Sequence, residues 1–177
     1  MSPFETHKPV LEYALLKQGR GVLEVGGGEA STPLIVNNSD YSLTLENNWE
    51  WYKRIVQYEN VRHPILYDPY LVDYVRGIPP PGCFPYAFSL ALVDNDNWKE
   101  RCKIVQLLKG VAEVILLHDS FEQHLNTCAE CGFPVPDFKY RLNLFPELPP
   151  RPEYPPTLIL SDTIDVTIWE IPGLTRG

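Results

Sequence analysis

Apolar positions recur along the chain in two rhythms, one helical and one strand-like. Pro9 to Gln18 carries Val10, Leu11, Ala14 and Leu15 on one helical face, and Gly19 ends it. Gly21 to Val25 is a short apolar run stopping at glycines, which predicts a buried strand. A helix is expected from Ser31 to Val36, a strand from Tyr41 to Leu45, and a helix from Trp49 to Tyr58, where Trp49, Tyr52, Ile55 and Val56 keep helical spacing. Ile65–Tyr67 predicts a short strand. Phe88–Val93 and Val111–Leu117 are continuously apolar, as strands covered on both faces are. Between them, Trp98 to Leu108 places Cys102, Val105 and Leu108 in helical register, and Phe121 to Cys131 predicts a helix closed by Gly132.

Strands alternating with helices predict an α/β fold with a doubly wound, Rossmann-like, mostly parallel sheet. The last third breaks the rhythm. Phe138–Phe145 and Thr157–Ile171, the latter interrupted near Ser161-Asp162, leave no room for a helix between them. They are expected to pair as an antiparallel C-terminal hairpin at one sheet edge. The proline-dense stretch from Pro134 to Pro156 reads as a loop over a site.

Composition narrows the class. The 177 residues suit one domain spanning 1–177, and 44% apolar with 21% charged residues argues against disorder. No apolar run reaches the roughly 18–20 residues that cross a bilayer. Met1 to Thr6 has neither the basic nor the apolar region of a secretory signal. A cytoplasmic location is expected on that basis. Cys83, Cys102, Cys128 and Cys131 are then expected to be free thiols or metal ligands rather than disulfides. The net charge of −8, without a Lys/Arg cluster, argues against nucleic acid and against an anionic membrane surface. A small neutral or cationic ligand fits better.

The sharpest local signal is Val22-Leu23-Glu24-Val25-Gly26-Gly27-Gly28-Glu29-Ala30-Ser31-Thr32. A strand runs into three glycines and then a helix, which lets the backbone approach a ligand closely at a helix N-terminus. The dinucleotide fingerprint G-x-G-x-x-G is only partly met, because Ser31 stands where its third glycine belongs. Glu24, two residues before the first glycine, suits a cationic amine better than a phosphate.

On these residues the chain resembles the class I S-adenosylmethionine-dependent methyltransferases, whose first motif is an acidic residue followed by G-x-G-x-G or a close variant. The ending Ala30-Ser31-Thr32 looks like the small-molecule or sugar O-methyltransferase branch. The resemblance implies S-adenosyl-L-methionine as cofactor, held by Glu24, Gly26, Gly27, Gly28, Ser31 and Thr32. It adds Glu46 and Asn47 after the second strand, where a carboxylate accepts from ribose hydroxyls. Asp68, after the third strand, and Asp94 complete the cofactor set. It also implies a small hydroxylated acceptor, with a sugar or glycan hydroxyl first and a phenolic hydroxyl second.

Asp94 ends the fourth strand, and His118-Asp119 ends the fifth. The family's Asp-Gly after strand four is Asp94-Asn95 here. His118 is the candidate general base, with Asp94 or Asp119 as substitutes. Asp94 and Asp119 are also candidate Mg2+ ligands, with Ser120 a weak third. The pair Cys128 and Cys131, with His124, is a weaker zinc candidate. His7 and His63 are expected at the surface, with His7 near enough to reach the pocket. Two rivals stand beside this reading: a catalytically degenerate methyltransferase fold acting as a binding module, and an NAD-type dehydrogenase.

Overall fold

The computed structural model describes residues 7–78, 88–120, 137–146 and 156–176. In chain order its elements are α1 (Lys8–Gln18), β1 (Gly21–Val25), α2 (Ser31–Asn38), β2 (Tyr41–Glu46), α3 (Trp49–Ile55), β3 (Ile65–Tyr67), α4 (Leu71–Arg76), β4 (Phe88–Val93), α5 (Trp98–Leu108), β5 (Ala112–His118), β6 (Tyr140–Pro146), β7 (Thr157–Ser161) and β8 (Leu174–Arg176). The eight strands form one sheet in the order β3-β2-β1-β4-β5-β7-β6-β8. The first five are parallel to one another, and β7 inserts antiparallel between β5 and β6. The C-terminal hairpin is therefore present, with β7 on the inside.

The chain moves outward from β1 through β2 to β3, then returns to place β4 on the other side of β1. That reversal opens a crevice beyond the carboxyl ends of β1 and β4, where open α/β sheets bind ligands. Period-two alternation splits the core into two layers. Val22, Leu90, Leu92, Val114 and Leu116 face one way, against Leu11 and Leu15 of α1 and Ile35 of α2. Leu23, Val25, Ala91, Val93, Ile115 and Leu117 face the other, against Val75 of α4 and Ile104, Val105 and Leu108 of α5. Glu24 falls in the first row, so a carboxylate occupies a core position.

Several expectations change. The helix expected over Trp49–Tyr58 ends at Ile55 and tightens into a 3-10 turn over Val56–Tyr58. The six-residue α4 and the three-residue β8 are too short for periodicity to register. His7 and His63 are buried, at 2% and 6% exposure, not at the surface. His63 is held by Nδ1 at 2.9 Å from the Ser42 hydroxyl. Cys102 is buried and disulfide-bonded, which overturns the expectation of a free thiol. The expected helix Phe121–Cys131, with His124, Cys128 and Cys131, lies outside the described residues, as does Cys83. Among the described residues no helix is long and apolar enough to cross a membrane.

Candidate functional site

The glycine loop is pinned on both sides. The Gly26 N–H donates to the Leu45 carbonyl at the end of β2 (2.8 Å), and the Asp94 N–H donates to the Val25 carbonyl (2.8 Å). Gly26 has φ +89°, and a Cβ there would lie 2.6 Å from Asn95 Cα, so only glycine fits. Beyond it, the Thr32 N–H donates to the Gly28 carbonyl (3.0 Å) and the Gly28 N–H returns to Thr32 Oγ1 (3.1 Å). Thr32 and Thr44 then both donate their hydroxyls to Glu24 Oε2, each at 2.8 Å. Glu24 thus anchors the loop, the start of α2 and β2 through one oxygen. Its other oxygen, Oε1, is buried and makes no well-formed hydrogen bond.

Burial raises the Glu24 pKa from 4.5 to about 7, opposed by the hydroxyls of Ser31, Thr44 and Thr32 and helped by the charge on Asp94. The folded-state value lies above the unfolded one. Between pH 4.5 and about 7 the folded chain therefore keeps a proton that the unfolded chain has lost, and stability falls as pH rises through that window. Glu24→Gln is expected to reduce that slope and to raise stability at pH 8 by about 1 kcal/mol, since a neutral amide costs less to bury than a carboxylate. Urea denaturation at pH 5, 6, 7 and 8 measures it; an unchanged slope removes Glu24 as its cause.

Glu46 closes the other wall, at the last position of β2. It is 4% exposed, and its Oε1 accepts from the Asn48 N–H at 2.6 Å. Burial lifts its pKa to about 7, against the lowering effect of backbone N–H groups of Asn48, Gly27 and Asn47. The carboxylate therefore faces the glycine loop directly. Asn47 is half-buried beside it. Asp68 lies one strand further out; its N–H donates to the Glu46 carbonyl, and its Oδ1 accepts from the Tyr70 N–H at 2.7 Å. Trp49 is 51% exposed and stacks on Tyr52, with Tyr67 edge-on, so this wall carries an open aromatic face rather than a core residue.

Across the crevice, β4 and β5 deliver a charged cluster. His118 Nδ1 is 2.9 Å from Asp94 Oδ1, and His118 Nε2 is 3.4 Å from Asp119 Oδ1. Arg101 spans both aspartates, 3.2 Å from each, and donates to the His118 carbonyl at 2.9 Å and to the Asn95 carbonyl. His7 joins from the start of α1, its Nδ1 3.9 Å from Asp94 Oδ2 and its ring 4.4 Å from that of His118. The Asp94 carboxyl sits at a pKa of about 2: its burial is outweighed by His118, Arg101 and His7. Asp119 adopts φ +54°, a left-handed conformation uncommon outside glycine and seen more often at functional sites. Ser120 is buried and bonds toward Asn143 and the Pro156 carbonyl.

The fold thus gathers Asp94, His118 and Asp119, and separately Glu24, Gly26, Gly27, Gly28, Ser31, Thr32, Glu46 and Asn47. Asp68 stands at the margin. Arg101 is the residue that the sequence reading did not assign. Its signal was present: Arg101, Ile104, Val105 and Leu108 form the inward stripe of α5, and a cation in a core stripe must be paired. His7 extends the inward face of α1 by one turn ahead of Leu11 in the same way. Arg101 also bears on the Mg2+ expectation. Its guanidinium already joins Asp94 to Asp119, and the group of described side chains that can meet on one ion is His7, Asp94 and His118, without Asp119.

No protein-family model matches the sequence, and no curated protein matches it. Solved structures do match in fold. An rRNA methylase from Streptococcus thermophilus aligns over 93% of this chain and 98% of its own, at TM-score 0.59 and 11% identity. The N-methyltransferase NodS from Bradyrhizobium japonicum WM9 aligns over 92% and 98%, at 0.58 and 11%. A putative caffeoyl-CoA O-methyltransferase from Staphylococcus aureus aligns over 88% and 82%, at 0.59 and 10%. The fold is that of the class I S-adenosylmethionine-dependent methyltransferases. NodS has also been solved with S-adenosyl-L-homocysteine bound. These neighbours differ in acceptor, and one of them acts by name on rRNA, so the fold alone does not exclude a nucleic-acid acceptor.

Proposed function

We propose that the chain is an S-adenosylmethionine-dependent O-methyltransferase of a small hydroxylated acceptor, with a sugar or glycan hydroxyl favoured over a phenolic one. The observation that carries this reading is the crevice wall itself: a glycine loop at a helix N-terminus, with the buried Glu46 carboxylate facing it from β2. The residues suit the cofactor. Glu46 is placed to accept from a ribose diol, and the aromatic face of Trp49 and Tyr67 beside it suits a flat base. The buried Glu24 carboxylate, held by Thr32 and Thr44, is a group with which a ligand ammonium would pair.

When bound, S-adenosylmethionine supplies the methyl group and the leaving group of a direct displacement. The chain must orient the acceptor and take its proton. Asp94 is more open than the imidazole beside it, its side chain 21% exposed against 4% for His118. Fully ionised, Asp94 would accept a hydrogen bond from the acceptor hydroxyl and take its proton as the oxygen attacks the methyl group, while His118 Nδ1–H donates to its Oδ1. Asp119 and Arg101 hold that imidazole and its backbone in place. The acidic net charge supports a small acceptor over a polyanion.

A non-catalytic binding module is favoured by one feature, the closure of Asp94 and Asp119 onto Arg101 within the protein. Calorimetric titration with S-adenosylhomocysteine, followed by methyl-transfer assays on sugars, phenols and an RNA oligomer, tests both. Binding with transfer to a sugar or phenol is expected. Binding with no transfer to any acceptor leaves the module. No binding by the folded chain ends the methyltransferase reading.

A further inference from the structure

His7, Asp94 and His118 come from three separated stretches of chain, the start of α1, the end of β4 and the end of β5. Each offers a ligand atom, and these atoms all lie within 4.8 Å of one another. Both imidazoles are buried, at 2% and 3% exposure. Two donor atoms bound to one ion at about 2.0–2.1 Å stand roughly 2.8–3.4 Å apart, depending on whether the geometry is octahedral or tetrahedral. His118 Nδ1 and Asp94 Oδ1, at 2.9 Å, are already near that spacing, and His7 Nδ1 is 3.9 Å from the other Asp94 oxygen.

The surroundings are those of a metal site too. Histidine ligands usually give their second ring nitrogen to a carboxylate, which fixes the ring and the tautomer. The second nitrogen of His118 lies 3.4 Å from Asp119, and Arg101 pairs with Asp94 Oδ1, the oxygen that also faces His118, while Oδ2 faces His7. The two carboxylates and one guanidinium leave a net negative charge before any histidine takes a proton. Two nitrogens and one oxygen suit zinc-type divalent ions, whereas Mg2+ prefers an all-oxygen set.

We propose that His7, Asp94 and His118 form a two-histidine, one-carboxylate site for a first-row divalent transition metal, Zn2+ being the natural occupant. Three protein ligands leave a coordination position open toward the crevice, as in zinc sites that polarise a bound hydroxyl. Binding the ion would displace the proton that His118 Nδ1 donates to Asp94 Oδ1. The inference rests on the ligand atoms and stands apart from the cofactor reading.

The test is titration of the chelator-stripped full chain with Zn2+ by calorimetry and with Co2+ by visible absorption. One equivalent is expected to bind, with a Co2+ spectrum free of thiolate charge transfer. Binding is expected to weaken by at least about 100-fold in His7→Ala and in the milder His7→Gln. It is expected to persist in Cys128→Ser/Cys131→Ser and under excess Mg2+. No binding, binding indifferent to both His7 variants, a thiolate band, loss in the cysteine variant, or displacement by Mg2+ would each overturn the proposal. S-adenosylhomocysteine binding, measured on the same stripped chain, reports separately on the cofactor pocket.

Discussion

Gly26→Ala is expected to cost the fold about 2–6 kcal/mol, from roughly 1–3 kcal/mol for a left-handed backbone at a non-glycine residue and roughly 1–3 kcal/mol for overpacking. The φ of +89° supplies the first part. The second arises because the new methyl would meet main-chain atoms of Asp94 and Asn95, which cannot swing aside. Those atoms are fixed in turn, since the Asp94 N–H is committed to Val25 and Arg101 is bonded to the Asn95 carbonyl. Domains of this size are stable by only about 5–15 kcal/mol, so much of that margin would be spent. Neighbouring glycines give the contrast. At Gly27 a Cβ meets the tip of Ile55, which can shift, and the methyl of Thr44, which its bond to Glu24 holds, and at Gly28 only the Ser31 hydroxyl at 3.1 Å. Urea denaturation should rank the alanine variants with Gly26 far the worst and Gly28 nearly neutral. Equal stability of all three would mean that the loop does not hold this conformation.

Glu46→Ala is expected to weaken S-adenosylhomocysteine binding by roughly 10²–10⁴-fold, because two hydrogen bonds from a diol to a carboxylate contribute about 1.5–3 kcal/mol each. Stability should change little at pH 8, since the lost bond to Asn48 is offset by release of a buried charge. The pH dependence carries the same signature. With the Glu46 pKa raised to about 7, the free protein is increasingly protonated below pH 7. A ligand that prefers the carboxylate should lose affinity as pH falls through 7, and Glu46→Gln should flatten that dependence. Calorimetry at pH 6, 7 and 8 on both variants measures it. Unchanged affinity in Glu46→Ala would place the ligand elsewhere.

Much of this is legible in the sequence. Gly21–Val25, Ile65–Tyr67, Phe88–Val93 and Trp98–Leu108 form the elements their patterns predict, with the same boundaries. Those segments are either strictly periodic or fully apolar, and local sequence decides such cases. Short elements escaped because six residues in α4 and three in β8 carry too little pattern. The surface assignment of His7 and His63 failed for a related reason. Residue type gives only an average exposure, whereas burial of these two rests on partners far away in sequence, Asp94 for one and Ser42 for the other.

By itself the sequence determined the alternation of strands and helices, the glycine turn after β1 and the carboxylates at the ends of β2, β4 and β5. All of these depend on neighbours within a few residues, where backbone freedom and hydrophobic periodicity act. Only the tertiary structure decided that β7 lies inside β6, that Glu24 is a buried anchor for Thr32 and Thr44, and that Arg101 joins Asp94 to Asp119. It also decided that His7 meets His118 across more than a hundred residues of chain. These depend on which strand ends the sheet order brings together, and on ion pairs formed only after side chains leave water.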